Sequence, residues 1–311
     1  MKITEQLTLQ NDDCKGCYYQ SSKSSDRCIL VLVGDEGNDF MDKAFASWLT
    51  KKVGVHALCV AIHQRKEDDT GVHEWPLEYI ESAVKWLKAK GIFKIGILGM
   101  SIPGCLSLTA ASLIPDISLV VAFTPCDFVP WGFIQGPIGK SSKGEWPSGT
   151  SAFTWRGKPL DYQSAFLEKE NYWKMFCDDK KKYHEMHTIT IFDHSENTCP
   201  IPESCFIPVE NICGKIIFIG TGDDSMWNTS RYIKRMEKRL EEKQFSYPVK
   251  TFLYTFGTHL LVPESLLKNA IPVFGDLLYL MFISGRKHPD ICKKNRIDLE
   301  KKLMIELQNW Q

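Results

Sequence analysis

The chain has 311 residues, 43% of them hydrophobic, enough for a sizeable core in one large domain or two smaller ones. Lysine plus arginine and aspartate plus glutamate both number 38, so the formal net charge is zero and the composition carries no electrostatic footprint for nucleic acid or an anionic membrane. The longest apolar stretch, 271–283, is interrupted by Pro272, Gly275 and Asp276, too short and too broken to span a bilayer, and the first residues lack the apolar core of a secretory signal. Cysteine numbers 11, an odd count, and Cys28, Cys59 and Cys105 fall in core-like runs where a reduced thiol behaves as a small hydrophobe. The expectation is a cytoplasmic protein without structural disulfides.

Residues 3–20 alternate loosely and predict one or two edge strands. Residues 28–33 are continuously apolar, as in a strand covered on both faces, and a polar glycine loop follows at 34–39. A helix with Met41, Phe45, Trp48 and Leu49 on one stripe comes next, then a strand at 55–61. Pro76 is expected to open a helix carrying Leu77, Ile80, Val84 and Leu87, with Gly91 closing it. Strands follow at 93–98 and 117–123. This alternation predicts an α/β fold with a mostly parallel central sheet and helices on both faces.

The alternation fails between about 124 and 208, a stretch rich in Gly, Pro, aromatic and charged residues. We expect one domain spanning 1–311, with 124–208 inserted in it as a cap or lid. The sheet pattern resumes with a strand at 215–220, a helix carrying Ile233, Met236 and Leu240, and a strand at 249–254. An apolar helix near 266–282 and a last helix with Leu299, Leu303, Leu307 and Trp310 complete the chain.

Three loops carry the chemistry. The strand ending at Gly99 is followed by Met100, Ser101, Ile102, Pro103 and Gly104, the layout of a nucleophile elbow, in which a sharp strand-to-helix turn lifts a serine hydroxyl. Pro103 holds the place of the usual last glycine; it suits a first helical turn, where its missing N–H has no intrahelical partner. Directly after Gly220 come Thr221, Gly222, Asp223 and Asp224, and the loop after Tyr254 contains Gly257, Thr258 and His259. Serine, then an acid, then histidine is the order of an α/β hydrolase, with each loop at the carboxyl end of a strand. Either aspartate can serve as the acid on this reading. His184, Glu185 and His187 have the wrong spacing for a zinc helix, and Cys14 and Cys17 have no second pair, so neither group is read as a metal or redox site.

With these residues in view, the chain resembles the C-terminal catalytic domain shared by acyl-CoA thioesterases and bile-acid-CoA:amino-acid N-acyltransferase, an α/β-hydrolase family related to dienelactone hydrolases. The likeness extends over most of 28–310. It rests on the stretch 76–87, on Arg156-Gly157-Lys158-Pro159-Leu160, on Ile207-Pro208-Val209-Glu210, on Gly222-Asp223-Asp224 with Trp227, and on the His259 loop with Glu264 beyond it. The resemblance implies Ser101 as nucleophile, His259 as base and Asp224 as acid, with Asp223 the fallback. Serine where the acyltransferases carry cysteine points to the hydrolytic branch. The family usually has Ser-Lys-Gly where this chain has Ser101-Ile102-Pro103, and the N-terminal β-sandwich of the animal enzymes is expected to be absent.

The reaction expected is hydrolysis of a small-molecule acyl ester or acyl-CoA through an acyl-enzyme, with no metal or organic cofactor. The backbone N–H of Ile102, with one from the 34–38 loop at Gly37 or Asn38, would hold the oxyanion. Phe128, Trp131, Phe133, Trp146, Phe153, Trp155, Tyr172 and Trp173 are the candidates to hold an apolar acyl chain, or else only pack the inserted segment onto the sheet. Carboxylesterase or peptidase activity without CoA, acyl transfer, and a non-catalytic binding role are the competing readings. Oligomeric state is not encoded in any feature found.

Overall fold

A computed structural model describes residues 2–23, 25–33, 39–62, 70–135, 144–270 and 275–310. The strands are β1 (Glu5–Leu7), β2 (Lys15–Tyr19), β3 (Arg27–Leu32), β4 (His56–Ala61), β5 (Thr70–Val72), β6 (Trp75–Pro76), β7 (Lys94–Met100), β8 (Ile117–Phe123), β9 (Phe133–Gln135), β10 (Phe153–Trp155), β11 (Lys158–Pro159), β12 (Lys215–Thr221) and β13 (Val249–Tyr254). The helices are α1 (Leu9–Asp12), α2 (Phe40–Trp48), α3 (Glu78–Ala89), α4 (Ile102–Leu113), α5 (Lys169–Tyr183), α6 (Ile189–Thr198), α7 (Thr229–Glu242), α8 (Glu264–Ala270), α9 (Gly275–Tyr279), α10 (Ile283–Lys287) and α11 (Pro289–Gln308).

Eight strands form the central sheet in the order β1-β2-β4-β3-β7-β8-β12-β13. From β4 to β13 every neighbouring pair is parallel; β2 runs antiparallel to both β1 and β4. The continuous apolar runs follow from burial on both faces. Within β3, Cys28, Leu30 and Leu32 enter one core layer, whereas Ile29 and Val31 enter the other. The first layer is closed by α3, α4 and α7 through residues such as Leu87, Leu106 and Ile233, and the second by α2, α8 and α11 through Trp48, Leu266 and Leu303.

Some boundaries differ from expectation. Pro76 sits in β6 paired with β10, and α3 starts two residues later at Glu78. Gly91 does follow α3, at φ 79°, where a side chain is strained. The apolar segment near 266–282 is not one helix: it holds the short helices α8 and α9, and α9 ends at Tyr279, ahead of α10. Residues 124–208 contribute no strand to the central sheet among the described residues, yet they are not without strands. β9 pairs with β5, and β10 joins β6 and β11, so this segment is stitched to the chain just ahead of α3.

The segment is also clamped to α7. Arg231, Arg235 and Arg239 stand one helical turn apart on that helix and so share a face. Arg235 makes a two-pronged contact with buried Asp127, 2.6 Å on each arm, and reaches Glu196 of α6 at 2.7 Å. Arg231 pairs with Asp193 and Glu196, and Arg239 with Glu203 and Glu210. Fork-shaped guanidinium contacts fix orientation as well as distance. No helix among the described residues is long and apolar enough to cross a membrane.

Candidate active site

The first component is the turn from β7 into α4. Ser101 has φ 65° and ψ −131°, a conformation that side-chain-bearing residues avoid, and it is held there by Ser101 N–H donating to Phe123 O at 2.9 Å. The turn is tight enough that a Cβ on Gly99 would lie 2.1 Å from Pro103 O. Gly104, one place later than the usual glycine, faces Phe123 O, where a Cβ would sit at 3.0 Å. Pro103 lies in the first turn of α4, as its chemistry demands. Ile102 is the first residue of α4, so its N–H has no acceptor within the helix.

The other components follow β12 and β13. His259 Nε2 lies 2.8 Å from Ser101 Oγ, and His259 Nδ1 lies 2.9 Å and 3.0 Å from the two Asp224 oxygens. The structure thus brings Ser101, His259 and Asp224 together in one hydrogen-bonded chain. With Nδ1–H donating to the carboxylate, Nε2 is left as the acceptor of the serine proton. His259 and Asp224 are 5% and 6% exposed, so their contact is shielded from water. Met226 N–H donates to Asp224 at 2.9 Å, and the Thr229 hydroxyl donates to its other oxygen. Trp227 meets the His259 ring edge-on at 4.9 Å and donates from Nε1 to Thr124 O at 3.1 Å.

Asp223 does something else. Its carboxylate accepts from Gly257 N–H and Thr258 N–H, at 3.1 Å and 3.0 Å. It ties the loop after β12 to the histidine loop and does not meet the imidazole. Thr124 and Thr258 share a positive φ with Ser101, at 41° and 63°. Thr124 Oγ1 donates to His259 O, and Thr221 Oγ1 donates to Thr258 O. Positive φ therefore recurs in residues with side chains just past β7, β8 and β13. Gly37 and Asn38, the expected second oxyanion donors, lie outside the described residues.

A cavity of about 710 Å³ opens onto Ser101 and Ile102. Among the expected acyl-chain residues, Trp131, Phe133, Trp146, Tyr172 and Trp173 line it. Phe128 and Phe153 do not; both are fully buried in the core, and Trp155 instead packs under the Arg156 guanidinium. Phe176, Met186, Phe192, Met226 and Trp227 also line the cavity and were not foreseen from sequence. Phe133, Trp146, Trp173 and Phe176 stack in succession at centroid spacings of 4.3, 5.6 and 5.2 Å, with their planes within 17° of parallel. His187 meets Glu185 and stacks on Tyr183, and no cluster able to hold a metal is found among the described residues.

The family model for the C-terminal region of BAAT and acyl-CoA thioester hydrolase matches residues 151–265, a little over a third of the chain. That stretch contains Asp224 and His259 but not Ser101. No curated protein matches the sequence. Among solved structures, an α/β-hydrolase enzyme from a Medee basin deep-sea metagenome library aligns over 99% of this chain and 98% of its own, at 16% identity and a TM-score of 0.51. A putative esterase from Staphylococcus aureus aligns over 97% and 84%, at 11% identity and 0.50. An acylaminoacyl peptidase from Pyrococcus horikoshii aligns over 96% of this chain but 40% of its own, at 12% identity and 0.51. The chain is thus an α/β hydrolase in fold, and through residues 151–265 it carries the BAAT/acyl-CoA thioester hydrolase likeness that its motifs led us to expect.

Proposed function

We propose that this chain is a serine hydrolase that cleaves an acyl ester or thioester through an acyl-enzyme, with acyl-CoA thioesters the substrate class its family match favours. The observation that carries the reading is the hydrogen-bonded series Ser101, His259, Asp224, whose serine opens onto a largely apolar cavity. His259 Nε2 takes the Ser101 proton as Oγ attacks the acyl carbon, and Asp224 steadies the imidazolium that forms. The Ile102 N–H, at the start of α4, donates to the oxyanion, where the helix dipole adds to the stabilisation. Collapse of the tetrahedral intermediate expels the thiol or alcohol, which receives the proton from His259. Water, deprotonated by the same nitrogen, then releases the acid and regenerates the serine. These steps require neither a metal nor an organic cofactor.

Residues 124–208 act as a cap of a single domain in this reading, holding the acyl group against the stacked rings. The test is labelling with a fluorophosphonate probe, which reacts with an activated serine, alongside turnover of a panel of acyl-CoAs and p-nitrophenyl esters. Labelling and turnover that both vanish in Ser101→Ala support the proposal; turnover undiminished in Ser101→Ala overturns it. Preference within the panel separates thioesterase from carboxylesterase chemistry.

A further inference from the structure

The cavity wall is mostly apolar, with the Ser101 and Thr188 hydroxyls and a single charge. Among the described residues that line it, Lys180 is the sole charged side chain. It comes from the same face of α5 as Tyr172, Trp173, Phe176 and Cys177, positions spaced so that they form one stripe of the helix. The stripe runs from Tyr172, 4% exposed, to an exposed Lys180 eight residues later, about 12 Å along the helix axis. The cavity therefore has an aromatic interior and a cationic rim.

The neighbouring charges are already engaged. Asp178 pairs with Lys174 at 2.6 Å, Asp179 takes the Thr190 hydroxyl, Glu185 meets His187, and the Lys182 ammonium lies 4.8 Å from the Tyr183 ring centre. Lys180 forms no ion pair among the described residues. A basic residue in the last turn of a helix gains from the helix dipole wherever it points. Lys181 and Lys182 share that benefit and do not line the cavity, so the dipole does not account for the placement of Lys180.

We propose that Lys180 is a specificity determinant: the site takes substrates with an apolar acyl body and an anionic group that pairs with Lys180 at the rim. The inference rests on the serine-hydrolase reading above. A carboxylate at the far end of the acyl chain and a phosphate on the thiol carrier offer the same chemistry. Two substrate pairs tell them apart: p-nitrophenyl decanoate against the mono-p-nitrophenyl ester of decanedioic acid, and S-decanoyl pantetheine against S-decanoyl pantetheine 4′-phosphate.

The readout is the ratio of kcat/KM, anionic over neutral, within each pair. In one pair Lys180→Gln lowers that ratio about threefold to fivefold, the size of one solvent-facing ion pair, and Lys180→Glu lowers it further. Lys180→Arg restores it, and added salt weakens it in the parent protein. The pair that responds identifies the source of the anion. Ratios unmoved in both pairs by Lys180→Gln and Lys180→Glu, with Ser101-dependent turnover intact, overturn the inference. If no substrate shows Ser101-dependent turnover, the hydrolase reading fails, and rim recognition is judged by binding alone. Tryptophan fluorescence then compares decanoate with decanol: a preference for decanoate that Lys180→Gln abolishes upholds the inference, and an unchanged preference sinks it.

Discussion

The sharpest perturbation exchanges one oxygen for an amide nitrogen in Asp224→Asn. In the parent protein the carboxylate accepts from Met226 N–H, the Thr229 hydroxyl and His259 Nδ1–H. An asparagine there has one acceptor oxygen, which the Met226 N–H claims, and it turns a donating NH₂ toward His259 Nδ1. Nδ1 must then accept, so the ring proton moves to Nε2, the nitrogen 2.8 Å from Ser101 Oγ. A protonated Nε2 cannot take the serine proton. In serine hydrolases the same tautomer error lowers kcat about 10⁴-fold, or about 5 kcal/mol at 1.36 kcal/mol per decade. Asp223→Asn is a different experiment in the adjacent residue. Its oxygen still accepts from Gly257 and Thr258, so only charge assistance is lost, about 1 kcal/mol or roughly fivefold. Steady-state kcat on a p-nitrophenyl ester, with circular dichroism to check folding, compares the two. If Asp223→Asn is the more damaging, or Asp224→Asn loses less than about tenfold, the assignment of the acid is wrong.

Ser101→Gly and Ser101→Ala should both abolish turnover, but the glycine variant should unfold at higher denaturant, by about 1 kcal/mol, because only glycine relieves φ 65° and ψ −131°. Equal midpoints would mean the turn holds no strain. Gly99→Ala places a Cβ 2.1 Å from Pro103 O and 2.4 Å from Pro103 C, both backbone atoms, so the start of α4 must move. It should cost about 2–3 kcal/mol in thermal unfolding and roughly 100-fold in kcat/KM through displacement of Ser101, and a silent variant would refute the elbow geometry. Burial pushes the Asp127 carboxyl up to about 6 against the pull of Arg235, from an ordinary value of 3.8. The folded state thus binds more protons than the unfolded chain between pH 4 and 6, and this group's contribution to stability declines as pH rises through that window, by about 3 kcal/mol at most. Urea unfolding at several pH values should show that decline in the parent and a flatter profile in Asp127→Asn; parallel profiles would count against it.

The central sheet was readable because strands buried on both faces leave no ambiguity of period. Residues 28–32 split into two core layers by simple alternation, and any apolar run of that length flanked by glycine reads the same way. The segment beyond Leu266 reads as one helix because its composition is apolar throughout, whereas the structure divides it into α8 and α9, with a further break at 280–282 ahead of α10 that no proline or glycine announces. The small strands inside 124–208 were invisible for another reason. β9, β10 and β11 are two or three residues long, shorter than any period, and β9 and β10 find their partners, β5 and β6, far away in sequence.

The three site loops and the cavity differ in the same way. Each of Ser101, Asp224 and His259 follows a strand of the sheet, so their meeting is dictated by strand order, which the sequence pattern carries. The cavity wall is dictated by nothing so local. Phe133, Trp146, Trp173 and Phe176 stack although they come from β9, an irregular segment and α5; a backbone bridge between Ile134 and Glu145 holds the first two neighbourhoods together, and it joins residues too far apart in sequence for a local pattern to show. One signal was available within a single element: Tyr172, Trp173, Phe176 and Lys180 recur at helical spacing on α5, a stripe with apolar rings at one end and a cation at the other. A helix whose composition is otherwise charged, and whose apolar stripe ends in lysine, has a face that must be covered and an end that must stay wet. That end is where the charge of a substrate can be met without burying an ion, because a solvent-facing pair avoids most of the desolvation that a buried one incurs. On the proposed reading, the chemistry of Ser101, His259 and Asp224 leaves the substrate open, and α5 would narrow it through one cation at the rim of a largely apolar chamber.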